Sequence, residues 1–324
     1  MSKSLSFSMI PEFKAYHDAH ATLAKHGKTF NWARRFLGRE ASDRAARLYA
    51  FCRYLDDLAD GGIHNGATHL ETIRASFASL PEAQNSGEVS LGDGIYDFLD
   101  LSDEAQIEPA VVDQLLLGLQ QDQQLVAFED EADLVRYSYR VAGTVGLMMC
   151  SVLGCRDPEA YPFAIDLGIA MQLTNIARDV VEDAQMGRRY LPHDWCAGLT
   201  PRDITEAVHD KKQIEAQQLV QLAQSRVLRL ADRYYESGFR GLTYLPGRAH
   251  LSIAVAGRVY REIGLRIRRK GYAFWNGREV VGMSGKVLAS FAALSLMRSR
   301  VKKMPVHQAG LHQYLDGLPH ASKN

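Results

Sequence analysis

The 324-residue chain predicts an all-α fold, a single helical domain around a central apolar cavity, and three observations carry that reading. Apolar residues recur at three- and four-residue spacing through most of the chain, the period at which one side of a helix faces a core. No stretch alternates strand, turn and helix, and no glycine-rich phosphate loop follows a strand, which removes a doubly wound sheet. Neither a fixed-period repeat nor a sustained heptad is present, which removes solenoids and coiled coils.

Taken in order, residues 12–37 show mixed helical spacing interrupted by His26-Gly27-Lys28-Thr29-Phe30, a joint between two helices or a kink in one. Residues 42–60 form the clearest helix. Ser42 is a plausible N-cap, Ala45, Leu48, Tyr49, Cys52 and Leu55 make an inward stripe, and Gly61-Gly62 end it. A helix over 67–80 is followed by an exposed connection from Pro81 to Gly94. Helical periodicity resumes over Ile95–Asp100, then Pro109–Phe128 with Pro109 at its start, then Leu134–Leu153 with glycines inside it. One long helix is expected from Glu159 to Gly187, closed by Tyr190-Leu191-Pro192. Further helical passages follow over Pro201–Gly238 and Leu251–Arg269, with Gly271–Val281 as a loop. The domain is placed at residues 20–303, between an N-terminal extension (1–19) and a flexible tail (304–324).

Composition narrows the function classes. With 38 basic and 38 acidic residues the formal charge is zero, which argues against a general nucleic-acid binder. The four cysteines, Cys52, Cys150, Cys155 and Cys196, form no CxxC pair, so neither a disulfide framework nor a structural zinc site is expected and a reducing cytoplasm is the default. No apolar run approaches the roughly 20 residues that cross a bilayer. Val287–Met297, followed by Arg298, Arg300, Lys302 and Lys303, reads as a terminal helix. It is either core with a solvated basic end or a peripheral contact with the inner face of a membrane.

Chemistry concentrates in two acidic runs, Asp56-Asp57-Leu58-Ala59-Asp60 and Asn175 to Asp183. Asp56 and Asp60 share one helix face, and Asp179 and Asp183 another, each pair roughly 6 Å apart along its axis. The first pair lies near a helix C-terminus, where the dipole gives a carboxylate no help. The second continues a line of polar groups, Gln172 and Asn175, beside apolar Ile169, Leu173 and Ile176. Buried carboxylates in this arrangement stay ionised at low cost only with cations between them. Hard oxygen ligands suit Mg²⁺, with Mn²⁺ as a second candidate. Ions held between the two faces would coordinate a diphosphate and make it a competent leaving group. Lys28, Arg53, Arg178, Arg188 and Arg278 are the candidate cations for the remaining phosphate charge.

Loss of diphosphate from an allylic chain leaves a carbocation that water destroys, so the cavity must be apolar and faced with aromatic rings. Phe30, Tyr49, Tyr137, Tyr190 and Tyr260 are the candidates, with Val141, Val145, Leu147 and Met148 lining a hydrocarbon channel. A serine hydrolase lacks its nucleophile elbow here, and the histidines form no HExxH pattern. A lipid carrier would use the cavity but not the acidic runs. A terpene cyclase or chain-elongating prenyltransferase would use similar aspartates.

The ordered motif set resembles the squalene/phytoene synthase family over roughly residues 20–285. The resemblance is carried by His26–Phe30, by Leu48–Arg53 with the first acidic run, by Tyr137–Gly146, by Gln172–Asp183, and by Gly187-Arg188-Arg189-Tyr190-Leu191-Pro192. Gly27 and Thr29 depart from the family's usual serines, and Trp275-Asn276-Gly277-Arg278 departs from its usual basic pair. The resemblance implies the isoprenoid synthase fold and head-to-head joining of two prenyl diphosphates through a cyclopropyl diphosphate. It implies Mg²⁺ on Asp56, Asp60, Asp179 and Asp183 with Asn175 assisting, and diphosphate contacts from Arg53, Arg178, Arg188 and Arg278. It further implies that Tyr260 helps hold the second diphosphate and that Phe30, Tyr49 and Tyr137 line the reacting region. Val141–Met149 looks most like bacterial phytoene synthases, which join two C20 geranylgeranyl diphosphates into 15-cis-phytoene without reduction, so NADPH is not expected. C15 condensation to presqualene diphosphate, squalene or dehydrosqualene is the alternative, and channel depth separates the two.

Overall fold

The computed structural model describes residues 18–83, 93–210, 213–298 and 304–321. The expected extension at residues 1–19 falls almost wholly outside them. Fifteen α-helices occur among the described residues, with no sheet and one isolated bridge, Ala127 to Arg189. The first group is α1 (Ala19–His26), α2 (Lys28–Ala33), α3 (Arg39–Ala59), α4 (Gly66–Ala83) and α5 (Asp93–Ala105). The second is α6 (Pro109–Gln121), α7 (Glu131–Ser138), α8 (Thr144–Val152), α9 (Tyr161–Arg178) and α10 (Val180–Gln185). The last is α11 (His193–Cys196), α12 (Pro201–His209), α13 (Ile214–Gly241), α14 (Gly247–Arg269) and α15 (Met283–Arg298).

Helix α9 is the central wall, packed against α8, α13 and α14. Small residues let the backbones close. A Cβ on Gly168 would lie 2.2 Å from the Ala142 carbonyl oxygen, and one on Gly146 would lie 2.3 Å from that of Ala164, so any side chain would force α8 and α9 apart.

Several boundaries differ from expectation, each for a local reason. The helix expected from Ser42 begins at Arg39 behind an extended Gly38 (φ −72°, ψ 164°), which places Ser42 inside the first turn rather than at the cap. The helix expected to reach Phe128 stops at Gln121, because Val126 to Phe128 instead pairs its backbone with Arg189. The segment expected as one helix from Glu159 breaks at Asp179 (φ −101°, ψ 19°) into α9 and α10. The passage from Pro201 is two helices, α12 opened by a capping box between Thr200 and Asp203. Between α7 and α8 the residues Tyr139–Gly143 form a π turn. The widened turn shifts the phase of α8 by one residue, and such turns occur mostly as single insertions in α-helices.

The C-terminal tail is also corrected. Residues 304–321 pack on the body, with Leu311, His312, Leu315 and Leu318 buried, and Tyr139 and Tyr234 donate their hydroxyls to the carbonyls of Pro319 and Leu311 (2.6 and 2.8 Å). Asp166 on α9 is fully buried and accepts from Nε2 of His307 (2.8 Å) and Nε2 of His312 (2.9 Å). Burial opposes its charge, yet these hydrogen bonds outweigh burial and hold its carboxyl below the usual range. The Nδ1 of His312 faces the Ala321 carbonyl oxygen at 3.2 Å. The tail is therefore clamped to the outer face of α9 by two histidines that share one buried carboxyl.

Helix α15 packs on α14 through Ala289 and Ala293 but exposes Met283, Leu288, Phe291 and Leu294. Arg300, Lys302 and Lys303 lie outside the described residues, and no described helix is long and apolar enough to cross a membrane.

His312→Ala removes one of the two hydrogen bonds to buried Asp166 and leaves His307 in place, so it should cost about 2 kcal/mol of unfolding free energy. Urea denaturation measures it, and a loss below about 1 kcal/mol, the scale of an exposed pair, would show that the clamp contributes little.

Candidate active site

The helices enclose a cavity of about 650 Å³, and most of the chemistry-bearing residues read from the sequence converge on it. Asp56 and Asp60 arrive from the C-terminal end of α3, Gln172, Asn175, Arg178 and Asp179 from the end of α9, and Asp183 from α10. The break at Asp179 lies between the two aspartates of the second run. Its consequence is that the polar line Gln172, Asn175, Asp179, Asp183 spans a helix end, a junction and a new helix start.

Guanidinium groups tie the acidic runs together. Arg188 bridges them: its backbone N–H donates to the Asp183 carbonyl (2.9 Å), while its side chain reaches Asp60 (2.7 Å) and the Ala59 carbonyl (3.2 Å). Arg178 and Arg278 both grip Asp179, at 2.7 and 2.5 Å and at 2.7 and 3.1 Å, each through two nitrogens. Arg53 forks onto Asp57, one turn along α3, with one contact at 3.2 Å. The paired forks match the geometry that binds carboxylate and phosphate oxygens alike. Lys28 is not brought to the cavity. Its side chain is exposed, and its carbonyl accepts from Lys286 Nζ at 3.1 Å.

The electrostatics are those of crowded carboxyls, of which Asp56 and Asp183 are partly buried. Burial, followed by the neighbouring Asp60 and Asp57 and opposed by Arg53, pushes Asp56 up to about 7. Burial and then Asp179 push Asp183 up to about 8, opposed by Arg188. Asn175 keeps its amide engaged with Gln172 (3.2 Å) but leaves its buried Oδ1 without a partner. An orphaned carbonyl oxygen beside protonation-prone carboxyls is what a hard cation would satisfy. The residues present therefore fit Mg²⁺, with Asp56, Asp60, Asn175, Asp179 and Asp183 as the group to hold it. The tightest cluster of metal-capable ligands among the described residues is a different one. Asp166, His307 and His312 place ligand atoms within 4.8 Å of one another and could hold a divalent ion, but none of the three lines the cavity.

Aromatic and apolar walls complete the chamber. Phe30 packs between Tyr260 (5.3 Å between centroids) and Tyr49 (6.0 Å) near the acidic mouth. Gly27 explains one departure from the family pattern, since a Cβ there would sit 2.7 Å from the Tyr49 ring. Val141 and Val145 line the cavity as expected, whereas Leu147 and Met148 are buried elsewhere and Ala142, Gly146, Met149 and Cys150 take their place. The turn of α8 itself is the reason: Val145, Gly146, Met149 and Cys150 share one face of the helix, and Leu147 and Met148 fall on the other. Tyr137 and Tyr190 also line the cavity, and both donate their hydroxyls to Asp122, a residue the sequence reading missed. No local signal could have found Asp122, since its partners lie 15 and 68 positions away.

An all-α shell with two acidic helix ends over one apolar chamber defines the isoprenoid synthases. The chain belongs to the squalene/phytoene synthase family, which matches residues 23–284 and makes it a prenyltransferase-type enzyme. It is similar to 15-cis-phytoene synthase of Enterobacter agglomerans, 33% identical over 88% of this chain and 97% of that one. It is likewise 34% identical to the 15-cis-phytoene synthase of Paracoccus sp., over 89% and 94% of the two chains. A dehydrosqualene synthase crystal structure superposes with TM-score 0.74 and 26% identity over 90% of this chain and 99% of that one. The squalene synthase HpnC from Alicyclobacillus acidocaldarius shares the fold at TM-score 0.66 and 20% identity, over 81% and 96%.

The raised carboxyls set a sign for pH dependence. In the unfolded chain an aspartate ionises near pH ~4. Between there and pH 7–8 the folded protein keeps protons on Asp56 and Asp183 that the unfolded chain has released, so these groups make stability fall as pH rises. The melting temperature without metal should drop from pH 5 to pH 8, and added Mg²⁺ should raise it more at pH 8 than at pH 5. A Mg²⁺ effect independent of pH would contradict cation binding at these carboxyls.

Proposed function

We propose that the enzyme joins two geranylgeranyl diphosphates head to head, through a cyclopropyl diphosphate intermediate, to give 15-cis-phytoene and diphosphate. The observation that carries the reading is the pair of acidic helix ends, bridged by Arg188, over one apolar cavity. The C20 choice draws on the relatives named 15-cis-phytoene synthase, which align over nearly their whole length at 33–34% identity. Dehydrosqualene synthase is the reference for the C15 alternative, farnesyl diphosphate condensation to presqualene diphosphate, squalene or dehydrosqualene.

In this reading Arg53, Arg178, Arg188 and Arg278 exchange carboxylate oxygens for phosphate oxygens of the same geometry when substrate arrives. Bound Mg²⁺ would neutralise charge on the departing diphosphate. The Phe30, Tyr49 and Tyr260 rings face the cation that ionisation leaves, and the walls at Val141, Val145 and Met149 exclude water while receiving the hydrocarbon chains. No NADPH is needed for a product that keeps its central unsaturation.

Product analysis by mass spectrometry, with Mg²⁺ and either C20 or C15 diphosphate, with and without NADPH, tests the proposal. A C40 hydrocarbon formed without NADPH is expected. A C30 product from C15 substrate alone would move the enzyme to the squalene branch. Larger residues at Val141 and Val145 should lower C20 turnover before C15 turnover, and unchanged selectivity in both variants would reject their place beside the chain.

The product is an extended hydrocarbon, and the exposed apolar face of α15 offers a peripheral contact with the inner face of a cytoplasmic membrane. Flotation with anionic lipid vesicles should recover the protein, and Phe291→Asp should weaken recovery several-fold. Equal recovery of both forms would locate any contact elsewhere.

A further inference from the structure

We propose that Asp122 is a positioning residue for this reaction: its carboxylate fixes the Tyr137 and Tyr190 rings and supplies a masked negative charge that favours a carbocation beside them. The proposal rests on the prenyl diphosphate reading above.

Asp122 caps the C-terminus of α6, lines the cavity and is 8% exposed. Tyr137 on α7 donates its hydroxyl to Oδ2 at 2.8 Å, and Tyr190, beyond α10, donates to Oδ1 at 2.7 Å. Three separate elements thus meet at one carboxylate, and both of its oxygens are taken by phenols. Among the described residues no arginine or lysine forms a direct ion pair with it, and burial pushes its carboxyl up to about 6, with the two phenol hydrogen bonds and Arg188 opposing that rise. The two rings stack at 5.0 Å between centroids, and Phe128 backs them at 5.2 and 5.5 Å. Phe128 is itself anchored through its backbone N–H to Arg189 and its carbonyl to Arg189 Nη1 (3.3 and 3.0 Å). The rings are therefore held from the hydroxyl end and from behind.

The chemistry explains why a carboxylate serves here. A phenol donating to an anion gains electron density, which makes its ring face more attractive to a cation. A fixed anion in a dry cavity stabilises a developing positive charge further, without reorganising. A bare carboxylate would be a hazard, because it could add to an allylic cation and form an ester. Two phenol donors leave the charge in place while covering both nucleophilic oxygens. Burial of a charged group in this way is costly, and a neutral acceptor would suffice for shape alone.

The test compares wild type with Asp122→Asn and with the Tyr137→Phe/Tyr190→Phe double variant, using Mg²⁺ and the C20 diphosphate. Three quantities are read: kcat, KM and the share of substrate released as free allylic alcohol. In that side reaction the diphosphate leaves with the C–O electron pair, water oxygen bonds to the allylic carbon, and the water proton passes to solvent. By analogy with loss of one preorganised electrostatic group, Asp122→Asn should lower kcat ~100-fold while KM stays within ~3-fold. The alcohol share should rise in both variants. Wild-type kcat and alcohol share in Asp122→Asn would overturn the proposal. Should that variant not fold, a wild-type alcohol share in the double variant would overturn it equally. Absence of any condensed product from the wild type would instead reject the underlying reading of the reaction.

Discussion

The rest of the structure is arranged around one constraint, a concentration of negative charge at the head of a buried apolar chamber. Burial raises Asp56, Asp122 and Asp183, and their acidic neighbours raise them further: Asp60 acts on Asp56 and Asp122, and Asp179 on Asp183. Such an arrangement is tolerable only where cations reach it. The protein supplies Arg53, Arg178, Arg188 and Arg278 from four different places in the chain and still leaves the Asn175 carbonyl oxygen unpartnered. The same imbalance that disfavours the folded state at high pH equips the site for divalent ions and for the diphosphate they accompany.

Helix α9 carries this constraint because it has two working faces. Its inner face presents Gly168, Met171, Gln172 and Asn175 to the chamber. On its outer face Asp166 anchors the C-terminal segment through His307 and His312. Close packing at Gly168 and Gly146 fixes α9 against α8, so the depth of the cavity depends on backbone contacts that no larger residue could keep. The non-helical turn at Asp179 then lets the last aspartate of the run, Asp183, start a new helix instead of extending the old one. Rigidity behind the wall and a break at its end together set where the carboxyls stand.

How far the molecule was legible before its structure depended on how local each signal was. The helical class, the cap-like Gly61-Gly62 stop and the spacing of Asp56 with Asp60 depend on residues within a turn or two of one another. Motif order across Tyr49, Tyr137, Asn175 and Tyr190 was equally readable. Lys28 was misplaced because helical spacing says nothing about which side of a short two-turn joint faces inward. Leu147 and Met148 were misassigned because they follow Val145 in sequence but stand on the opposite face of α8, whose inner side runs through Val145, Gly146, Met149 and Cys150. The tail composition suggested a loose end, yet its histidines found a buried carboxylate more than 140 positions away.

The sequence by itself determined the helical architecture, the acidic runs and the chemistry they can perform, since periodicity and residue type are properties of neighbours along the chain. The tertiary structure alone decided which arginine meets which aspartate, that Asp122 joins Tyr137 to Tyr190, and which face of α8 lines the chamber. Those outcomes depend on packing between elements distant in sequence, where a break of a single turn or a shift of one residue reverses which side chain is buried.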